Sequence, residues 1–203
     1  MSSGFGRVLF LIATVGFVLT GYKIAKKLGV AVAGSHEIPL EIFFDNQGQL
    51  LTPRISPDGQ QIAYRAPVGK VTNIWLRSRA GGDDRPLTND AGRGIHQFFW
   101  SYDNQHIFYL QDKDGDENWQ LYKVSLDGGV VTPLTPIKDV QVNVIAYRKE
   151  FPNRMFLGIN DRDPKMHDVY ELNIDTGTRT LIEKNPGDIV AWAVGRKTLE
   201  IYA

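Results

Sequence analysis

The chain contains no cysteine among its 203 residues. This absence excludes disulfide bonds, a thiol nucleophile and cysteine-ligated zinc. The sequence also lacks G-x-S-x-G, the motif that presents a serine nucleophile on a sharp turn, and none of its four histidines stands in an H-E-x-x-H motif. The residues therefore predict no catalytic side chain, no bound metal and no cofactor in this chain.

An excess of charge of either sign is also absent. Lys plus Arg and Asp plus Glu each number 23, so the formal net charge is zero. Nucleic-acid-binding domains usually carry clustered basic residues, often with exposed aromatic side chains. No nucleic-acid partner is predicted.

One acidic segment resembles a calcium-binding loop at first sight. Asp112, Asp114 and Asp116 have the spacing of the first, third and fifth loop positions. However, Glu117 stands where the loop requires glycine, and Lys123 stands where it requires a bidentate glutamate. The segment is interpreted as a solvated loop between two strands.

The most informative feature that is present is an internal repeat. The segment Ser56–Tyr64, SPDGQQIAY, returns 45 residues later as Ser101–Tyr109, SYDNQHIFY. Each copy has turn residues followed by β-branched and aromatic residues at strand spacing. A fixed period of this length is typical of repeated supersecondary units.

Both copies of the repeat contain residues that suit a tight turn. Pro57 fixes its φ angle at the second turn position, Asp58 can bond its own backbone, and Gly59 tolerates a positive φ. Asn104 replaces that glycine in the second copy, and asparagine is the next most tolerant residue. The predicted structural turn residues are Ser56, Pro57, Asp58 and Gly59 in the first unit, Ser101, Asp103 and Asn104 in the second, and Pro152 and Asn153 in the third.

Later landmarks keep the same period. Trp75 and Tyr122 are 47 residues apart, Tyr170 follows Tyr122 by 48, and a fourth unit is predicted to begin at Ile189–Trp192. Units of this length with four short strands are typical of β-propeller blades. The sequence therefore predicts an all-β fold, a partial β-propeller of three blades and the start of a fourth over residues 53–203. A β-sandwich with accidental self-similarity is the alternative.

The N-terminal part has a different composition. Residues 8–22 carry no charge, whereas Arg7 precedes them and Lys23, Lys26 and Lys27 follow. As a helix this run would be about 22 Å long, short for a bilayer core of about 30 Å. We interpret residues 1–34 as a signal peptide or membrane anchor that begins with a hydrophobic helix, and residues 35–52 as a lead-in segment. A buried core helix is the alternative.

The localisation that follows is membrane-anchored or exported, with the side of the membrane left open. Ala31-Val32-Ala33 matches a cleavage pattern, but it lies beyond the apolar run and after three lysines. Those lysines favour a cytoplasmic C-terminal side.

Several motifs in order resemble a known family. The series Ile55–Gly59, Ile62–Tyr64, Asn73–Trp75 and Arg85–Thr88 resembles the first blade in the N-terminal propeller of prolyl oligopeptidase-family serine peptidases. The acylaminoacyl-peptidase and dipeptidyl-aminopeptidase branches are the most similar. The segments that resemble the second and third blades are Phe99–Ser101, Gly115–Asn118, Leu121–Tyr122 and Asp168–Gly177, and the resemblance covers about residues 37–192.

This resemblance implies a specific role. Family members join the propeller to a C-terminal α/β-hydrolase domain that carries a Ser-Asp-His triad, and the propeller restricts access to short peptides. None of the triad positions exists in this sequence. The expected role is therefore that of a non-catalytic propeller portion, truncated before the hydrolase domain. The implied partners are that domain, the remaining blades and, in the full-length parent, a peptide substrate.

Two further functions compete with this one. The first is a non-enzymatic scaffold like the Tol-type periplasmic propellers, which share the S-P-D-G repeat. The second is a membrane-tethered protein-binding module in which residues 8–22 are the functional feature. An unclosed ring would also expose strand edges, so self-association is expected for the isolated chain.

Overall fold

The protein is described by a computed structural model that covers residues 51–196 and 199–203. In this part of the chain every regular element is a strand. No helix able to span a membrane is found within these residues. The predicted helix at residues 8–22, the signal or anchor segment 1–34 and nearly all of the lead-in lie outside the described residues.

Within the described residues, the strands form three four-stranded sheets and one two-stranded sheet. The first sheet, blade 1, contains β1 (Leu51–Ile55), β2 (Gln61–Val68), β3 (Val71–Ser78) and β4 (Arg85–Pro86). Blade 2 contains β5 (Gln97–Trp100), β6 (His106–Gln111), β7 (Gln120–Ser125) and β8 (Val131–Pro133). Blade 3 contains β9 (Val142–Tyr147), β10 (Arg154–Asp163), β11 (Met166–Asn173) and β12 (Arg179–Glu183). The last sheet pairs β13 (Ala193–Val194) with β14 (Ile201–Tyr202).

Each four-stranded sheet is an antiparallel meander whose strand order follows the chain. This is the arrangement of a propeller blade, and it confirms the predicted all-β class. The repeated S-P-D-G-type turn joins the first and second strands, so each sequence repeat begins inside a blade. The first strand, β1, includes Leu51 and Thr52, and residues Ile189–Trp192 precede β13.

The core lies between successive sheets because the central strands bury both of their faces. Ile107 and Tyr109 of β6 face blade 1, where they pack with Ala63 and Ile74. The intervening Phe108 faces the other way, toward blade 3, and is fully buried. Alternation along a strand sends neighbouring side chains to opposite faces, so one short strand contributes to two cores. Each such buried apolar side chain contributes about 1.5–3 kcal/mol.

The third interface is smaller. Ala146, Phe156 and Val169 of blade 3 pack against Val194 of β13. The two-stranded sheet therefore continues the same packing mode, with its first strand beside the first strand of blade 3.

The stretch that follows the fourth strand of each blade is called the link segment (residues 87–96, 134–141 and 184–192). A polar residue near the start of the third strand of the same blade anchors each link segment. In blade 1, Asn73 accepts hydrogen bonds from Asp90 N at 2.7 Å and Thr88 Oγ1 at 2.8 Å. In blade 2, Gln120 Nε2 donates to Val140 O at 2.6 Å.

In blade 3 the equivalent residue is Asp168, which accepts from Asn185 N at 2.8 Å. It also receives two hydrogen bonds from the Arg162 guanidinium, at 2.7 and 2.8 Å. The link segments form one end of the blades. Asn73, Gln120 and Asp168 therefore position the backbone at that end.

Candidate functional site at the link end of the blades

The predicted turn residues of blades 1 and 2 build tight, internally bonded turns. Ser56 Oγ accepts from Gln61 N at 2.9 Å and donates to Asp58 Oδ1 at 2.6 Å. That hydroxyl lowers the pKa of the Asp58 carboxyl below its usual value. Gly59 has φ 71° and Asn104 has φ 57°, so asparagine adopts the glycine conformation in the second turn. The Ser56 and Asp58 side chains thus form hydrogen bonds within their own turn, and they have a structural role.

The turns of neighbouring blades also contact one another. Asn104 Oδ1 accepts from Asp58 N at 3.0 Å, which joins the first turn to the second. Between the second and third turns, Tyr147 accepts from Tyr102 N at 3.2 Å and donates to Pro152 O at 2.9 Å. Ser101 Oγ lies 3.2 Å from the same hydroxyl, and burial raises the Tyr147 pKa. All three predicted turns therefore lie together at one end of the blades, which we call the turn end.

Replacing Tyr147 with phenylalanine tests this connection. The change leaves the peptide N–H of Tyr102 and the carbonyl of Pro152 without their partner, so we expect the free energy of unfolding to fall by about 1–2 kcal/mol. Urea denaturation measures it. Tyr102→Phe is the matched control, because the Tyr102 ring also packs against the Tyr147 ring, with 4.7 Å between the ring centroids. Equal stability of the two variants would contradict the connection.

The first strand of each blade lines a common cavity of about 680 Å³, the channel cavity. Ile55 of β1, Phe99 of β5 and Val144 of β9 contribute to its wall. Trp100 Nε1 donates to Arg54 O at 2.9 Å and ties two of these strands together. The cavity reaches from Pro57 and Tyr102 at the turn end to Gln97 and Asn143 at the opposite end.

Two further cavities lie at that opposite end, the link end, where the link segments enter the first strands. The first cavity has about 500 Å³ and is lined by Arg93, His96, Gln97, Leu110, Trp119, Gln141, Val142 and Asn143. The second cavity has about 560 Å³ and includes Asn143, Lys165, His167, Asn185, Asp188 and Trp192. Both are built from a first strand, the hairpin between the second and third strands, and a link segment. They are successive copies of one inter-blade pocket.

Charge in the first cavity is compensated. Arg93 Nε lies 3.4 Å from Asp112 Oδ1, and the Asp112 side chain is completely buried. Asp112 Oδ2 also accepts from Glu117 N at 3.3 Å. The loop that resembles a calcium site thus connects β6 to β7 and directs its first carboxylate toward an arginine. Within the described residues, no group of three or more histidines and acidic side chains is arranged to hold a metal ion.

The second cavity is lined by the imidazole of His167. Burial lowers the pKa of His167, and its Nε2 has no hydrogen-bond partner in the described part of the chain. The carbonyl of the same residue accepts from Trp192 Nε1 at 2.7 Å. Trp119 and His167 occupy equivalent positions 48 residues apart, the spacing that relates Tyr122 to Tyr170. The 48-residue spacing relates the two cavities in the sequence. Because tryptophan stands at one position and histidine at the other, no recurring motif marks them.

No family model matches the chain. Dipeptidyl aminopeptidase BIII of Pseudoxanthomonas mexicana is 34% identical over 189 residues, which cover 92% of this chain. Over this range the chain is therefore similar in sequence to a dipeptidyl aminopeptidase. Dipeptidyl peptidase family member 6 of Caenorhabditis elegans is 24% identical over 155 residues. The chain spans 27% and 21% of these two relatives, about a quarter of their length.

Solved structures agree on the fold. A prolyl endopeptidase has a TM-score of 0.55 at 15% identity, over 72% of this chain and 24% of its own. The β-propeller domain of the Trilobed protease from Pyrococcus furiosus has a TM-score of 0.52 at 19% identity, over 72% of this chain and 46% of its own. TolB from Agrobacterium tumefaciens has a TM-score of 0.51 at 21% identity, over 68% and 49%. The fold of the described blades is thus shared with peptidase propellers and with TolB.

Proposed function

We propose that this chain is the non-catalytic propeller portion of a serine peptidase related to dipeptidyl aminopeptidases, in which it controls access of short peptides to a hydrolase domain. One observation carries the proposal: similarity to such an aminopeptidase extends over 92% of the chain. The sequence contains no G-x-S-x-G nucleophile motif, so the hydrolytic serine belongs to another domain.

The channel cavity supports this role physically. Its wall is mostly uncharged and includes Phe99, Trp100 and Tyr147. Pockets that bury a ligand are commonly apolar with a few placed polar groups. At the link end these groups are amides, Gln97 and Asn143. An uncharged, extended peptide segment is the ligand class that such a wall favours.

A scaffold function like that of TolB is the second candidate, and the fold is compatible with it. Both named sequence relatives are peptidases, which favours the peptidase reading. Tethering to or export across a membrane through residues 8–22 is a separate proposal. It rests on the uncharged run that precedes three lysines.

Labelling with a fluorophosphonate probe tests the non-catalytic role. We expect the purified chain to remain unlabelled, because the probe requires an activated serine and none is predicted here. Dipeptidyl aminopeptidase BIII of Pseudoxanthomonas mexicana serves as the positive control. Stoichiometric labelling of a serine in this chain would refute the proposal.

A further inference from the structure

Three cavities meet at a single side chain, that of Asn143. It lines the channel cavity, the first cavity and the second cavity. Asn143 is exposed, and its amide has no hydrogen-bond partner in the described part of the chain. An amide presents donors and an acceptor together, which complements the N–H and C=O groups of an extended peptide.

A glycine on the neighbouring strand leaves room for this amide. Asn143 pairs with Gly158 in the β9–β10 ladder. A Cβ atom on residue 158 would collide with the Asn143 side-chain oxygen. The backbone angle of Gly158 is not in the left-handed region, so the need for glycine comes from this close approach. The chain thus leaves space at residue 158 that the Asn143 amide occupies.

The adjoining first cavity has the features of a side-chain pocket. The Trp119 indole forms one wall of this cavity. It packs edge-to-face with the His96 ring, with 6.3 Å between the ring centroids, and Leu110 and Val142 add apolar surface. Among its lining residues Arg93 carries the formal charge, and this charge is compensated by buried Asp112. A bulky uncharged side chain would bury apolar surface here, whereas a carboxylate or ammonium group would lose hydration without a free partner.

From this arrangement we infer that Asn143 binds the backbone of a short peptide and that the Trp119 pocket receives an uncharged, bulky side chain of that peptide. The inference rests on the proposed function for the choice of a peptide as ligand. It assigns a specificity-determining pocket to the propeller itself, at the link end and away from the S-P-D-G turns.

Calorimetric titration of the purified chain with two blocked tripeptides tests the inference. Acetyl-Ala-Phe-Ala-amide is expected to bind at least ~10-fold more tightly than acetyl-Ala-Asp-Ala-amide. Asn143→Ala and Trp119→Ala are each expected to weaken binding of the phenylalanine peptide ~10-fold, equivalent to about 1.4 kcal/mol. Asn143 is exposed, so its truncation is expected to leave the melting temperature unchanged. Asn89→Ala, an exposed asparagine outside the three cavities, is the matched control and should bind like the wild type.

Gly158→Ala separates a positioning effect from loss of the amide. It retains Asn143 but displaces its side chain, so we expect binding to weaken as in Asn143→Ala. Undetectable binding of the phenylalanine peptide, equal binding of both peptides, or wild-type binding by Asn143→Ala would each overturn the inference. A second measurement separates this inference from the proposed function: the peptidase activity of a chimera in which this chain replaces the matching segment of Dipeptidyl aminopeptidase BIII. An active chimera together with any of these binding results would refute the inference and leave the proposed function intact. Selective peptide binding together with an inactive chimera would refute the proposed function and leave the binding of peptide by the pocket intact.

Discussion

Replacing Asp168 with alanine is expected to lower the free energy of unfolding by about 2–4 kcal/mol, a large effect for one polar side chain. The Asp168 side chain is 1% exposed and accepts hydrogen bonds from Arg162 and from the peptide N–H of Asn185. Alanine leaves that buried N–H without an acceptor. The Arg162 side chain is 41% exposed and regains hydration, which keeps the loss below that of a fully buried ion pair.

The pH dependence of this contribution has a definite sign. The Arg162 guanidinium holds the Asp168 pKa below its ordinary value of 3.8. A carboxyl with a depressed folded-state pKa stabilises the protein above its unfolded value, and the contribution disappears as pH falls through the folded value. The stability difference between wild type and Asp168→Ala should therefore be full near neutral pH. It should shrink as the pH is lowered below about 4.

Urea denaturation at pH 7 and at pH 3 measures both effects. Asp168→Asn is expected to lose less stability than alanine because its amide oxygen can still accept from Asn185 N. Asp175→Asn is the matched control, since Asp175 is exposed in the turn after β11. A loss that is the same at both pH values would show that the carboxylate charge is not what anchors this link segment.

The sequence predicted the blades well because their turns have strict backbone requirements. Gly59 and Asn104 both need positive φ, and few residue types meet that need, so the repeat remains visible. Strand residues such as Ile107 and Ile62 recur for a similar reason, since both must fit a buried sheet face.

The link anchors could not be recognised in the same way. Asn73, Gln120 and Asp168 occupy equivalent positions and perform the same task with three different side chains. An amide can donate to a peptide carbonyl or accept from a peptide N–H, and a carboxylate can accept from a peptide N–H, so the position is preserved without a recurring residue type.

The candidate site also depends on tertiary structure. Asn143, Trp119 and Gln97 come from three separate segments and meet only after blades 2 and 3 pack together. The turn residues singled out from the sequence lie at the other end of the blades. For residues 8–22, the membrane prediction remains a prediction.

Peptidase activity is expected only when this propeller is joined to a hydrolase domain. We expect that a chimera, in which residues of this chain replace the matching segment of Dipeptidyl aminopeptidase BIII, hydrolyses dipeptidyl substrates. The chain alone should hydrolyse them at the rate of buffer. Enzymes typically accelerate such reactions by about 10⁶-fold or more, so the two outcomes are separated by orders of magnitude.

A control with the same fold but a different sequence relationship makes the test specific. The corresponding blades of TolB from Agrobacterium tumefaciens share the architecture at a TM-score of 0.51. Inserted at the same place, they should yield an inactive protein, because the proposed function depends on family-specific residues at the blade surface. Circular dichroism melting establishes that each chimera is folded before its activity is compared.

The hydrolysis rate of the folded chimera, measured beside that of the isolated chain, is the most direct test of the central claim. The proposed function predicts dipeptidyl hydrolysis by the chimera and none by the chain alone or by the TolB chimera. A folded chimera without activity, or hydrolysis by the isolated chain, would contradict it.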